Sequence, residues 1–209
     1  SELKDIDNTK ALYTIFTSDT GTAIDDVIFW KFKDDLILIC NASNTSKIKN
    51  HLDINSISYE DLTDNTDLIA VQGKTAISII EEMMLIPNKF STSKDSKYTY
   101  ARTGYTGEDG VEVMLDQKDT LHFIEKLEAK GVMPCGLGSR DTLRLEASLP
   151  LYGFELTDNI TPVEAGLKWT LSNKSDYIGK NVIDEQLSSK NHKYLKKFKL
   201  NAKQIARTG

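Results

Sequence analysis

The chain has 209 residues, 39% of them hydrophobic and 27% charged, an ordinary globular composition that excludes collagen-like, coiled-coil and wholly disordered architectures. A formal net charge of −5 speaks against a broad basic surface for nucleic acid. No apolar run reaches the roughly 18 residues needed to cross a bilayer, and Ser1 to Asp5 has neither the basic nor the apolar part of a leader, so neither nucleic acid nor membrane is an expected partner.

Alternating apolar residues predict strands over 11–17, 23–32 and 36–40, separated by Ser18-Asp19-Thr20-Gly21 and Lys33-Asp34-Asp35, clusters that favour turns. They read as an antiparallel meander. A short polar helix is expected over 44–51, a buried strand over 68–73, and an amphipathic helix over 74–85, where Ala76, Ile79, Ile80 and Met83 recur every three or four residues. Strands over 97–102 and 111–115 flank Gly104, Gly107 and Gly110. A helix over 118–129 follows, with Leu121, Ile124 and Leu127 on one face and Gly131 placed to end it.

The next helix is predicted over 139–149, with Leu143, Leu145 and Ala147 as its apolar side. Pro150, Gly153 and Pro162 then impose a loop, before a strand over 166–171, a helix over 181–189 and a strand beginning at 194. A lone strand does not stabilise itself, so the chain is expected to be part of a longer protein. Hairpins mixed with helices point to an α+β fold.

Cys40 and Cys135 form no C-x-x-C pair and sit beside apolar neighbours, as two buried thiols in a reducing compartment would. His51, His122 and His192 have no second ligand at metal spacing, so no metal site is expected.

Asp25-Asp26 is the first anomaly. On a strand Asp26 shares a face with Ile24, Ile28, Trp30 and Phe32, whereas Asp25 lies with Val27, Phe29 and Lys31. An ionised carboxylate among large apolar groups costs several kcal/mol unless it is paired, a tension typical of functional sites. An edge strand with both acids in water is the bland alternative. Glu112 faces away from Val111, Val113 and Leu115, which is unremarkable if that face is solvated. The closely spaced glycines suggest close backbone approach to something, but they match no phosphate-binding loop. Arg140, Asp141, Arg144 and Glu146 open one helix, where Asp141 and Arg144 are spaced for a structural ion pair.

Four segments are specific when taken together: GTAIDDVI (21–28), RTGYTGEDGVE (102–112), GLGSRDTLRLEA (136–147), and LPLYGFEL (149–156) followed by TPVEAGLKW (161–169). In this order and spacing they resemble the T protein family of the glycine cleavage system, the folate-dependent aminomethyltransferases. The resemblance implies the central part of a three-lobed fold with a ferredoxin-like folate-binding lobe. It divides the chain into 1–43 with 74–138 as that lobe, 44–73 with 139–193 as part of the first lobe, and 194–209 as the start of a C-terminal barrel. Such a piece alone is expected to be inactive.

The resemblance also implies roles. Asp26 matches the catalytic acid, and Glu112 the acid that holds the pterin. Asn41 and Tyr105 match folate-pocket residues, Arg140 the arginine that meets the folate, and Trp30 stands in the pocket where tyrosine is common. Tetrahydrofolate is the implied co-substrate, with no metal and no flavin, and the lipoyl-carrying H protein the implied partner. The cytoplasm is the implied compartment, with the mitochondrial matrix as the alternative. Two other readings stay open: a folate-binding relative serving iron–sulfur-cluster maturation, whose K-G-C-Y-x-G-Q motif is replaced here by Arg102-Thr103-Gly104-Tyr105, and the folate lobe of a dimethylglycine or sarcosine oxidoreductase or related demethylase.

Overall fold

The computed structural model describes residues 7–189, 192–199 and 201. Strands β1 (Lys10–Thr17), β2 (Ala23–Lys31) and β3 (Leu36–Ile39) form a three-stranded antiparallel sheet in that order. The turn between β1 and β2 closes on Gly21, whose φ of +77° suits glycine, and Ser18 donates its N–H to the Thr22 carbonyl. Strand alternation, with a register shift opposite Phe16 and Thr17 that moves Ala23 across, gives this sheet two covered faces. On one, Val27 and Phe29 pack against Ile48 and Leu52 of helix α1 (Thr45–Ile54). On the other, Ile15 and Ala23 meet Leu156, Ala165 and Leu167.

A second, four-stranded antiparallel sheet has the order β4 (Thr66–Gln72), β7 (Gly110–Asp116), β6 (Thr99–Ala101), β5 (Thr92–Lys94). Helices α2 (Ala76–Ile80) and α3 (Gln117–Ala129) cover one face, because every second residue of β7, namely Val111, Val113 and Leu115, joins Ile80, Phe123 and Leu127 in one core. Gly131, at φ +83°, ends α3 as expected. The two sheets abut where Ala11 donates its N–H to Phe90 O and Thr92 donates its own to Thr9 O. Helices α4 (Leu137–Glu146) and α5 (Lys180–Ser189), with single-turn helices at Ala42–Asn44 and Lys168–Thr170, complete the regular structure among the described residues.

The α+β class agrees with the sequence, and the strand pairing bears on the expected division into lobes. The expected division puts β4 with 139–193, yet β4 pairs along its whole length with β7, from Thr66 opposite Asp116 to Gln72 opposite Gly110. Conversely, it puts β1 to β3 with 74–138, and their core partners are α1 and the segment around 156–167. The four-stranded sheet and its core are thus built from one contiguous stretch, β4 to α3. Burial decides this, since each sheet shares its apolar core with different helices and loops.

Four local expectations also change. The strand predicted over 166–171 is a turn and a single-turn helix, Lys168–Thr170. Gly166 sits at φ +73° and Leu167 donates its N–H to Pro162 O, so local bonds replace a ladder. Residues 194–199 form no strand, although Leu195 donates to Glu164 O; residue 200 and the segment 202–209 lie outside the described residues. In α4, Leu137, Leu143 and Leu145 are exposed and the buried residue is Arg144, whose guanidinium donates to Asp141 at 2.8 Å and Glu155 at 2.7 Å. The ion pair expected with Asp141 is thus present and extended. Cys135 is exposed and Cys40 half-buried, both free, so the expectation of two buried thiols is corrected. Among the described residues no helix is long and apolar enough to cross a membrane.

Candidate functional site

The candidate residues come from the loop-covered face of the first sheet and from the helix-free face of the second with its glycine-rich turn. Strand β2 carries the paired acids onto opposite faces, and the structure exchanges their expected environments. Asp25 is the fully buried one, at 0% exposure. Its oxygens accept three hydrogen bonds: from the Asn41 backbone N–H (3.0 Å), Asn41 Nδ2 (2.8 Å) and Asn44 Nδ2 (2.6 Å). Asp25 therefore fills a polar cage behind the sheet.

Asp26 is half-buried on the other face. It accepts from Tyr13 Oη at 3.1 Å and from Asn41 Nδ2 at 2.8 Å. Burial, and secondarily the neighbouring Asp25, push its carboxyl above the usual carboxylate range, while the bonds from Tyr13 and Asn41 pull the other way. Burial and the facing Asp26 likewise push the Tyr13 phenol well up. The Tyr13 ring stacks on Trp169, with centroids 5.6 Å apart and planes at 27°, and Trp169 is exposed.

The second sheet contributes Glu112 and the turn before it. Glu112 is 8% exposed, so its face is not the solvated one. Among the described residues its one hydrogen-bond donor is the Thr103 hydroxyl, 2.6 Å from Oε2. Burial raises the Glu112 carboxyl, against smaller opposing effects of Thr103 and Arg140. Tyr105 donates its hydroxyl to Pro150 O, and burial pushes that hydroxyl up to about 12. The Arg140 guanidinium, from the first turn of α4, lies 4.6 Å from the Tyr105 ring centroid.

The glycines of this turn approach the protein itself. A Cβ on Gly104 would overlap Gln72 Oε1 at 1.7 Å, and one on Gly107 would come within 2.8 Å of Ala147 Cβ. Gln72 holds the turn by donating Nε2 to Thr103 O and Val111 O. Arg102 closes it with two bonds to Asp109, at 3.1 and 2.7 Å, which hold Asp109 down at about 2.

Asp26 and Asn41 thus share a hydrogen bond, and Tyr105 and Arg140 share a cation–π contact, while charge interactions link Asp26 to Tyr105 and Arg140 to Glu112. Trp30 does not join them. Its ring is 0% exposed, with Nε1 unpartnered among the described residues, so it offers no face to a ligand. The strand edge beside it is closed by Thr92, whose hydroxyl donates to Lys31 O at 2.9 Å. Sequence reasoning missed Tyr13, Thr103, Asn44 and Trp169. Only the period-2 spacing of Tyr13 on β1 carried a signal, because its partner in register is Ile28, two residues from Asp26. No group of three potential metal ligands occurs among the described residues.

Residues 1–175 match the family model described as the GCVT N-terminal domain. The chain belongs to this family. Relatives named aminomethyltransferase include one from Nostoc sp., 38% identical over all of this chain and 61% of its own length, and one from Bacillus subtilis, 40% identical over 85% of this chain and 54% of its own. A solved structure, glycine cleavage system aminomethyltransferase T from Bartonella henselae, superposes with a TM-score of 0.80 at 26% identity, covering 88% of this chain and 55% of that one. This family member spans about three fifths of the length of the curated relatives it matches.

Proposed function

We propose that this chain is the folate-binding part of a tetrahydrofolate-dependent aminomethyltransferase of the glycine cleavage system. The observation that carries the reading is Glu112, a buried carboxylate with a single hydrogen-bond donor, Thr103, among the described residues, and within reach of the charge of Arg140, whose guanidinium lies over the Tyr105 ring. A pterin presents adjacent ring N–H and amino donors, which a carboxylate accepts as a paired, charge-assisted contact. The exposed Arg140 suits an anionic glutamyl tail.

In the proposed reaction, nitrogens of tetrahydrofolate take the methylene of an aminomethyl group borne on the sulfur of a lipoyl arm. The carbon–nitrogen bond to the amine and the carbon–sulfur bond break, giving methylene-tetrahydrofolate, ammonia and the lipoyl thiol. Asp26 would stabilise the cationic, iminium-like carbon between these bonds, being held by Tyr13 and Asn41. Tyr105 would bound the pterin. The lipoyl-carrying H protein is the proposed partner, and the cytoplasm the proposed compartment in view of the bacterial relatives.

The test is an assay of the full-length protein with aminomethylated H protein and tetrahydrofolate, following ammonia and methylene-tetrahydrofolate together. Equal formation of the two is expected. Turnover only with dimethylglycine or sarcosine as donor would overturn the reading in favour of a demethylase.

A further inference from the structure

We propose that Asp25 is a positioning residue: its buried carboxylate clamps the Asn41 side chain, and the Asn41 amide in turn fixes the carboxylate of Asp26. This rests on the reading of Asp26 given above and assigns a role to the second acid of the pair. Asn41 Nδ2 lies 2.8 Å from an oxygen of each carboxylate, Asp25 Oδ1 and Asp26 Oδ1. One amide nitrogen has two hydrogens, one for each acid, the hydrogen on the Asp26 side being shared with the Asp26 main-chain O at 3.2 Å. The flipped amide would set its own oxygen against two carboxylates, so this orientation is enforced.

Two further contacts make the clamp rigid. The Asn41 backbone N–H binds Asp25 Oδ2 at 3.0 Å, so main chain and side chain are held by the same carboxylate. Asn44, itself 3% exposed, fixes Asp25 from behind at 2.6 Å. Asp26 can then rotate only by breaking a bond anchored in the interior. The titratable and charged groups around Asp26 are Asp25 behind it, Tyr13 from β1, and Tyr105 from the glycine-rich turn with Arg140 against that ring. Of the pair, only Asp26 keeps any exposure.

Asp25→Asn in the full-length protein is the direct test. It puts an N–H2 against the Asn41 backbone N–H, loosening the clamp, and removes the negative charge that raises Asp26. Turnover should fall by about tenfold or more, with the KM for tetrahydrofolate changed less than about threefold. The acid limb of the pH–rate profile should move to lower pH, because Asp26 ionises more readily without that neighbour. A merely structural loss would lower active protein without moving the limb. Unchanged turnover, or lost turnover with an unmoved limb, overturns the proposal.

Asn44→Ala is the second variant, for the case in which Asp25→Asn does not fold. It keeps the Asp25 charge while removing one anchor, so turnover should drop about three- to tenfold, with the acid limb moved to higher pH as the Asn41 bond that lowers Asp26 loosens; full turnover overturns the proposal. Undiminished turnover in Asp26→Asn would instead sink the assignment of Asp26. The clamp is then judged by the carboxyl carbon-13 titration of Asp26, which requires no activity. Its midpoint should rise in Asn44→Ala, where the Asn41 bond that lowers it loosens while the Asp25 charge stays, and an unmoved midpoint there overturns the proposal.

Discussion

The Thr103 hydroxyl donates to Glu112 Oε2 across 2.6 Å, joining the segment that enters the glycine-rich turn to the strand that leaves it. This bond satisfies one lone pair of a buried carboxylate and leaves the rest for a ligand. Glu108, four residues earlier, lies exposed in the turn and differs in each of these respects. In the full-length protein, Glu112→Gln should weaken folate binding by about 1.5–3 kcal/mol, the worth of a hydrogen bond to a charged group. Glu108→Gln should leave it unchanged. Calorimetric titration of both variants is the measurement, and equal losses would sink the assignment.

Asp26 and Glu112 are both raised by burial, which makes the ligand-free fold sensitive to pH in a definite direction. A raised carboxyl contributes stability that is fully present below its unfolded value and lost as pH rises through its folded value. The window therefore opens at the ordinary values of 3.8 and 4.5 and extends upward. Asp109 and Asp158 are lowered by their cationic partners and act in the opposite sense, losing stability as pH falls. The measurement must for that reason be a difference: urea midpoints of the wild type against the Asp26→Asn, Glu112→Gln double variant, across this window. The double variant should gain relative stability as pH rises. A constant difference would mean that the two acids are solvated.

Much of this site is legible in the sequence. Alternation along 23–32 separates Asp25 from Asp26, and the segment 102–112 announces its glycines. What alternation does not give is the identity of the deeper face, since both faces of this strand are flanked by apolar residues. That depends on α1 and the Asn41–Asn44 turn closing over Asp25, contacts that span 16 to 19 residues. Trp30 misleads for the related reason that a large aromatic on the ligand-side face can equally be walled in by the next sheet. The β5 edge strand, Thr92-Ser93-Lys94, has no apolar residue to signal it. The expected apolar side of α4 misleads because Leu143 and Leu145, two residues apart, point to different sides of a helix and both stay exposed.

The glycines offer a test that needs no ligand. Gly107 has φ +78°, and a Cβ there would approach Ala147 Cβ to 2.8 Å. Gly107→Ala therefore combines left-handed strain of about 1 kcal/mol with a contact that must shift the end of α4. Gly138, within α4, has an ordinary φ, and a methyl added there would meet nothing within 4 Å. Gly138→Ala should stabilise by up to about 1 kcal/mol through helix propensity. Chemical denaturation of the two variants should thus show midpoints displaced in opposite directions. Displacement of both the same way would contradict the turn geometry.

The catalytic assignment gives the last prediction. Asp26 stands between two donors, Tyr13 Oη and Asn41 Nδ2, so its oxygens are fixed before any ligand arrives. Such preorganisation acts on charge that develops during reaction more than on ground-state binding. Asp26→Asn keeps the size and removes the charge. In the full-length protein it should lower turnover by about 10²-fold, the scale of a lost electrostatic contribution near 2.7 kcal/mol, while folate affinity changes much less. Steady-state kinetics with aminomethylated H protein, together with a separate binding titration, distinguish the two effects. A variant that loses folate affinity in proportion to turnover would make Asp26 a binding residue, and the acid that meets the developing positive charge would then have to be sought elsewhere in the site.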